Sequence, residues 1–461
     1  MDYIENITFD ELNIGDSAES QRTLTQRDIE LFATVSGDVN PAHMDPEYAK
    51  DDMFKGVIGH GMWGAGLISA VLGTQMPGPG TIYLNQSLSF RAPVRIGDTI
   101  TTRITVAEKV PGKNRVTLDC ICLNQDGKTV TKGVAEIIAP TVKVRRLRAA
   151  LPEVHMHGHA ARFKTMLETT RGLPAIHTAV VHPCDAGSLS GAMDAFEEDL
   201  IIPVLIGPRA KIEAAALAAN IDISGVELVD VPHSHAAAAK AVELVSKGSA
   251  QALMKGSLHT DELMSAVLKK EAGLRTERRL SHVFVLDVPH YHKPLLITDA
   301  AINIQPDLTT KRDIVQNAIE LAIALGIEVP KVAILSAVET VNPSIPSTID
   351  AAALCKMADR GQITGGILDG PLAYDNAISA EAARIKGIIS PVAGEPDILL
   401  APDLEAGNMM AKQLLYLASA DTAGLVLGAK VPIILTSRSD GALARLASAT
   451  IAQLYVHNRP Q

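Results

Sequence analysis

The apolar residues of this chain change their period once. Up to about residue 140 they alternate along TIYLNQSLSFRAPV, DTITTRITVAEKV and RVTLDCICLNQDGKTVTKGVAEIIAP, the two-residue period of half-buried strands. Beyond about residue 160, short apolar runs end at Gly, Pro or Asp and lead into Ala-rich helical stretches, as in IIPVLIGPRAKIEAAALAAN and GVELVDVPHSHAAAAKAVELV. Strands spaced by helical lengths imply βαβ units and a parallel sheet. Between Pro140 and about Arg162 neither period holds, and KVRRLRAALPEVHMHGHAAR is first basic, then His-rich. The expected organisation is one unit over residues 1–140, a connector over 141–162 and a second unit over 163–461. With about 150 residues per domain, the 461 residues allow the second unit two lobes.

In the first region Thr25 can cap a helix starting at Gln26. A polar loop, SGDVNPAHMD, precedes a segment from His60 to about Met76 that is apolar almost all round and reads as a helix buried on most of its surface. Asp126-Gly127 between two alternating runs is a hairpin turn. One buried helix followed by long antiparallel strands suggests a sheet wrapped around it, the hot-dog arrangement. In the second region HVFVLDVPHYHKPLLITDAAI interrupts the strand–helix rhythm with two adjacent strands, expected to pair as a hairpin dividing the region into two lobes. The fold class is therefore mixed: an N-terminal α+β hot-dog and a C-terminal α/β/α unit with a mainly parallel sheet.

Composition removes several functional classes. A formal charge of −10 argues against a general nucleic-acid binder. The acidic N-terminus lacks the basic and apolar regions of a signal peptide, and no window approaches 18 consecutive apolar residues, so no membrane span and a cytoplasmic location are expected. Four cysteines in so long a chain make no disulfide framework, and Cys120, Cys122, Cys184 and Cys355 read as reduced, packed thiols. Aromatic residues are only 3%, which leaves the cores to Ala, Leu, Ile and Val.

Two constellations carry chemistry. In SGDVNPAH, Pro41 fixes the chain between Asp38 and His43. A carboxylate and an imidazole on one loop can bracket a water molecule, one taking its proton while the other protonates the substrate. Downstream, Gly61 opens the apolar helix, whose first N–H groups are free to meet a developing oxyanion. Gly59-x-Gly61-x-x-Gly64 formally matches a dinucleotide fingerprint, but no strand precedes it and no acidic residue stands about 20 residues on. The strings SGDVNPAHMDPEYA, GVIGHGMWGAGLISAVLG and GTIYLNQSLSFRAPVRIGDTI together resemble the (R)-specific enoyl-CoA hydratases of the MaoC-like hot-dog family over about residues 5–140. The resemblance implies that Asp38 and His43 are the catalytic pair, that the N–H of Gly61 is the oxyanion donor and that Ser69 supports the site. Which of Asp38 and His43 acts first as base stays open.

The second constellation is VPIILTSRSD, where an apolar strand delivers Thr436, Ser437, Arg438 and Ser439 to a helix start, a plausible phosphate cradle. Other strand ends carry Asp369-Gly370 and Lys255-Gly256-Ser257. DGPLAYDNAIS, PVAGEPDILLAPDLEAGNMMAK and PIILTSRSD, in this order, resemble the phosphate acetyl/butyryltransferase family over about residues 165–460. That resemblance implies acyl exchange between coenzyme A and inorganic phosphate, with Ser437 at the oxyanion and Arg438 on the phosphate. In well-described acetyltransferases an acidic residue lies six positions after that arginine. Here it is Ala444, and Asp440 is the substitute candidate. Asp369, Gly370 and Lys255 are candidate coenzyme A contacts.

The combined expectation is a bifunctional enzyme of acyl-CoA metabolism. It would hydrate short-chain trans-2-enoyl-CoA to (R)-3-hydroxyacyl-CoA and move acyl groups between coenzyme A and phosphate. Coenzyme A serves as acyl carrier, with no metal or redox cofactor and no nucleic-acid or membrane partner. The alternative is a hydratase whose second unit only binds acyl-CoA as a regulatory or oligomerising module. Both resemblances imply a homo-oligomer. The pairs His233/His235 and His290/His292 and the run His155, His157, His159 read as surface histidines.

Overall fold

The computed structural model describes residues 3–150, 154, 161–435 and 441–460. The chain divides into two units, Met1–Met156 and His157–Gln461.

In the first unit, strands β1 (Tyr3–Glu5) and β2 (Ser17–Thr23) precede helices α1 (Gln26–Ser36), α2 (Pro41–Met44), α3 (Pro46–Asp51) and α4 (Gly61–Thr74). Strands β3 (Ile82–Phe90), β4 (Thr99–Val110), β5 (Arg115–Leu123), β6 (Thr129–Ile138) and β7 (Arg145–Leu147) follow. Thr25 does cap α1: its hydroxyl accepts from the Asp28 N–H while the Asp28 carboxylate accepts from the Thr25 N–H, a reciprocal capping box. Gly37 ends α1 in the left-handed region at φ 74°, donating back to Ala33.

The sheet order is β2-β4-β5-β6-β3, antiparallel throughout. Asp126-Gly127 turns β5 into β6, with Gly127 at φ 75°. Ile104, Leu118 and Ile137 point from one face of the sheet into a core with Ile68, Val71 and Leu72 of α4. This is the hot-dog arrangement. Two details differ from expectation. Helix α4 buries Trp63, Gly64, Ile68, Val71 and Leu72 but exposes Met62, Gly66, Ser69, Ala70 and Gly73, so its apolar character is not matched by all-round burial within the chain. The connector expected at 141–162 is also shorter. β7 pairs antiparallel with β1, Lys143 bridges Glu11 at 2.9 Å, and the Arg145 guanidinium lies 4.6 Å above the Tyr3 ring, which ties these basic residues to the first unit. At the other end Arg162 lies in the helix Ala161–Thr169 and pairs with Asp287 of the second unit.

The second unit is built on strands β8 (Ile176–Val181), β9 (Ile201–Gly207), β10 (Glu227–Asp230), β11 (Ala252–Lys255), β12 (Ser281–Asp287), β13 (Leu295–Thr298), β14 (Lys331–Leu335), β15 (Ile367–Leu372), β16 (Ile398–Leu400), β17 (Asp421–Leu427) and β18 (Ile433–Ile434). They form one sheet in the order β10-β9-β8-β11-β18-β17-β12-β13-β16-β14-β15. Neighbours are parallel from β10 to β18 and again from β13 to β15. The three junctions between these blocks are antiparallel, and β12 and β13 pair as expected. Wholly apolar strands suit a sheet covered by helices on both faces. Small side chains let those helices sit close: Ala192, Ala195, Ala447 and Ala449 are all buried.

Candidate functional site

In the first unit three short devices bring the candidate residues together. Gly37 stops α1 and throws the chain into the loop bearing Asp38, where the Asp38 N–H reaches Ser36 Oγ at 3.2 Å. Asn40 then caps α2, its side chain accepting from Ala42 N–H at 3.0 Å, with Pro41 at the first helical position. This presents His43, whose Nδ1 lies 2.8 Å from the carbonyl oxygen of Ile58. Finally, His60 precedes α4, and its Nε2 lies 3.0 Å from the main-chain carbonyl of Asp38. The His43 and His60 rings stand 4.0 Å apart, centroid to centroid.

His43, His60 and Gly61 line a cavity of about 340 Å³ whose walls include Trp63, Phe90 and Val130. Gly61 starts α4, so its N–H has no partner within the helix. A Cβ at Gly61 would sit 3.1–3.3 Å from the Phe90 ring, so the residue's smallness keeps that edge of the cavity open. Asp38 is not part of that lining, but a carboxylate oxygen of it lies within 4.8 Å of a ring nitrogen of both His43 and His60, which are. Ser69 lies two turns along α4 on an exposed face and outside the cavity lining. The residue that sequence reasoning passed over is His60, read only as a neighbour of the glycines. The turn-forming SGDVN loop and the apolar helix start gave no sign that they meet. Cys120 and Cys122 are buried on β5, and burial pushes the Cys120 thiol up to about 11, as expected of packed thiols.

In the second unit, Ser437, Arg438 and Asp440 lie outside the described residues, as do His155, His157 and His159 of the connector. The flanks are described: β18 pairs with β11, and a helix runs from Ala442 to Asn458. Lys255 is buried at the end of β11, with Nζ 3.4 Å from the Gly256 carbonyl oxygen. Around it, the Gly256 N–H donates to Val181, the Ser257 N–H donates to the His182 carbonyl, and His182 Nδ1 donates to the Ser257 carbonyl at 2.8 Å. Asp185 caps the helix Ala186–Glu197 through Ser188 N–H. Burial would raise the Asp185 carboxyl, but the Ser188 N–H, the Ser257 hydroxyl and the Arg445 charge outweigh it and hold it low. Arg445 stacks on that helix where two glycines make room, since a Cβ at Gly191 would come within 2.4 Å of its Cδ. His182, Asp185 and Arg445 are polar residues of this edge that sequence reasoning missed, and the first two meet Ser257 of the Lys255-Gly256-Ser257 strand end.

Asp369 and Gly370 do not join them. They lie on β15, the far end of the sheet, seven strand spacings from β11 by sheet order, or roughly 34 Å at about 4.8 Å each. The three antiparallel junctions also turn the carboxyl ends of β13 to β16 toward the opposite edge. Lys255 and the Asp369–Gly370 pair, the candidate coenzyme A contacts, thus lie on well-separated strands of the sheet. The other histidine pairs have structural partners. His233 caps its helix, His235 lies 2.9 Å from Glu262, and His292 packs on Tyr291. Among the described residues no helix is long and apolar enough to cross a membrane.

These geometries define a two-unit chain, a hot-dog carrying an acid–imidazole loop joined to an α/β sheet with a polar carboxyl edge. Residues 13–120 match the family described as MaoC like domain, and residues 233–452 match Phosphate acetyl/butaryl transferase. A phosphate acetyltransferase of Rhizobium meliloti is 61% identical over 65% of this chain and 95% of its own length. A phosphate butyryltransferase of Clostridium acetobutylicum is 43% identical over 61% of this chain and 93% of its own. The crystal structure of a branched-chain phosphotransacylase from Enterococcus faecalis V583 is 33% identical, with a TM-score of 0.55 over 62% of this chain and all of that one. The chain belongs to the phosphate acetyl/butyryltransferase family and carries a MaoC-like domain ahead of the transferase unit.

Proposed function

We propose that the chain is a bifunctional acyl-CoA enzyme. Its second unit exchanges an acyl group between coenzyme A and inorganic phosphate. The observation that carries this is the 61% identity to a phosphate acetyltransferase over 95% of that protein. It favours a working transferase over a unit that merely binds acyl-CoA. Ser437 and Arg438 are the proposed oxyanion and phosphate contacts, Asp440 the proposed base, and the His182–Asp185–Ser257–Arg445 edge the support beside them.

The first unit hydrates a short-chain trans-2-enoyl-CoA to the (R)-3-hydroxyacyl-CoA. The observation behind this reading is that His43 and the first N–H of α4 face one apolar cavity, with the Asp38 carboxylate within 4.8 Å of the His43 ring. A carbonyl oxygen can only accept, so the contact with Ile58 fixes the His43 proton on Nδ1 in the neutral ring. Nε2 is then a lone pair that takes a proton from water and returns it to the α-carbon, while the Asp38 carboxylate holds the water as its oxygen adds to the β-carbon. The Gly61 N–H meets the thioester oxygen as charge develops there. Coenzyme A is carrier for both reactions, and no redox cofactor enters either. A homo-oligomer formed through the edge strand β3 is part of the proposal, because that edge leaves Ile82, Tyr83, Leu84 and Phe90 exposed.

The test is thioester absorbance with full-length protein and crotonyl-CoA, phosphate being added second. Loss of the enoyl band in the first step supports the hydratase. Phosphate-dependent loss of thioester, with acyl phosphate trapped as hydroxamate, supports the transferase. A persistent enoyl band defeats the first assignment, and an absence of hydroxamate across several acyl chains defeats the second.

A further inference from the structure

Each imidazole of the first site commits one nitrogen to a main-chain carbonyl. Nδ1 of His43 faces Ile58, and Nε2 of His60 faces Asp38. Because those oxygens only accept, the opposite nitrogens, Nε2 of His43 and Nδ1 of His60, are bare lone pairs in the neutral rings. His60 is 4% exposed, and its Nδ1 is buried without a hydrogen-bond partner. A buried polar atom left unmatched destabilises the fold. Such a lone pair points to an electron-poor occupant.

One ligand atom from each of Asp38, His43 and His60 lies within 4.8 Å of the other two. Metal-ligating histidines are oriented in this way, with the far ring nitrogen donating to a carbonyl or carboxylate behind. We propose that Asp38, His43 and His60 form a two-histidine, one-carboxylate site for a divalent ion of the zinc class. Two imidazoles select such an ion over magnesium or calcium, which take oxygen ligands. Three protein ligands leave a fourth position open toward the cavity. Zinc bonds of about 2 Å require the trio to close inward, and Asp38, on an exposed loop, is the member with room to move.

The ion uses the same His43 lone pair and Asp38 carboxylate that hydration needs, so it acts as a reversible inhibitor. That consequence rests on the acid–base reading of Asp38 and His43; the binding itself does not. The histidines at 155, 157 and 159 are a competing attachment point, and the experiment removes them.

The experiment takes full-length protein with His155→Ala, His157→Ala and His159→Ala, stripped of metal by chelation. Hydration of crotonyl-CoA is measured first, in the metal-free state. Zinc is then titrated against a chromophoric indicator, and cobalt(II) is added separately for its visible spectrum. One zinc per chain is expected, with the intense visible bands of low-coordinate cobalt. His60→Asn and His43→Gln are each expected to weaken zinc at least tenfold and to erase those bands. Zinc should suppress hydration and chelator should restore it. Unchanged zinc affinity in both variants, or only the faint spectrum of hydrated cobalt, overturns the site. Zinc bound at the trio without loss of hydration overturns the inhibition. Failure of the metal-free protein to hydrate sinks the acid–base reading alone and leaves the zinc titration to be judged by itself.

Discussion

His43 Nδ1 and the carbonyl oxygen of Ile58 lie 2.8 Å apart, and this contact sets both the ring's orientation and its tautomer. The two nitrogens can be separated by mutation. In His43→Asn the amide nitrogen stands near Nδ1 and keeps the Ile58 contact; in His43→Gln it stands near Nε2 and loses it. Both are expected to lower crotonyl-CoA hydration by about 10²–10⁴-fold, the range for removing a general acid–base group. Only His43→Gln should also lower the urea midpoint, by the equivalent of about 1 kcal/mol for one net hydrogen bond. Hydration by His43→Asn within a few-fold of the parent protein would remove His43 from the chemistry.

The devices legible in the sequence are those that act over a few residues. Thr25 with Asp28, Asn40 with Pro41, and Asp126-Gly127 each determine a local backbone course, and each appears where its pattern places it. What remained hidden depends on pairing between distant segments. His60 meets Asp38 across 22 residues, and Arg445 finds room over Gly187 and Gly191 about 250 positions earlier in the chain. Strand direction is equally silent in a run such as GGILDGPL. Only the antiparallel junctions at β12, β13, β17 and β18 reveal that Asp369 emerges on the edge opposite Lys255.

Arg445 follows Ala444, the position at which well-described acetyltransferases carry an acidic residue. Its charge helps hold Asp185 ionised, and its side chain braces two helices. Replacing it by Gln removes the charge beside Asp185 and should reduce acyl transfer by about tenfold, the equivalent of about 1.4 kcal/mol, while Arg445→Lys should retain part of the rate. The hydroxamate assay reads both. Equal, parent-like rates would leave Arg445 with a purely structural role.

Two glycines allow the units to be damaged one at a time. A Cβ at Gly133 would fall 1.8 Å from the Ser87 carbonyl oxygen, against the neighbouring strand. One at Gly256 would fall 2.5 Å from the Val181 oxygen and 2.7 Å from that of His182. Backbone cannot yield as a flexible side chain does, so each Ala substitution should cost roughly 2 kcal/mol or more, as overpacking does. Gly133→Ala is expected to impair hydration and spare acyl transfer, and Gly256→Ala the reverse. Trp63, the single tryptophan, sits in the first unit and makes its fluorescence a selective reporter of unfolding there.

His282 gives the second unit a pH-dependent stability. Its ring is fully buried on β12, edge-on to Phe284 at 4.4 Å between centroids. Burial disfavours the imidazolium and pulls the group down to about 4, although the Asp299 charge and the Leu435 main chain oppose the shift. The unfolded chain binds this proton near the ordinary value of about 6.5. Between these values the unfolded state carries more protons, so stability rises with pH and falls on acidification. The contribution is complete above about pH 6.5, declines on acidification below it, and levels off near pH 4. His282→Gln removes the titration. Hydrogen exchange of peptides from β12 and β13 at pH 7 and pH 5 should show a smaller stability difference in the variant than in the parent. The same difference in both proteins would assign the acid sensitivity to other groups.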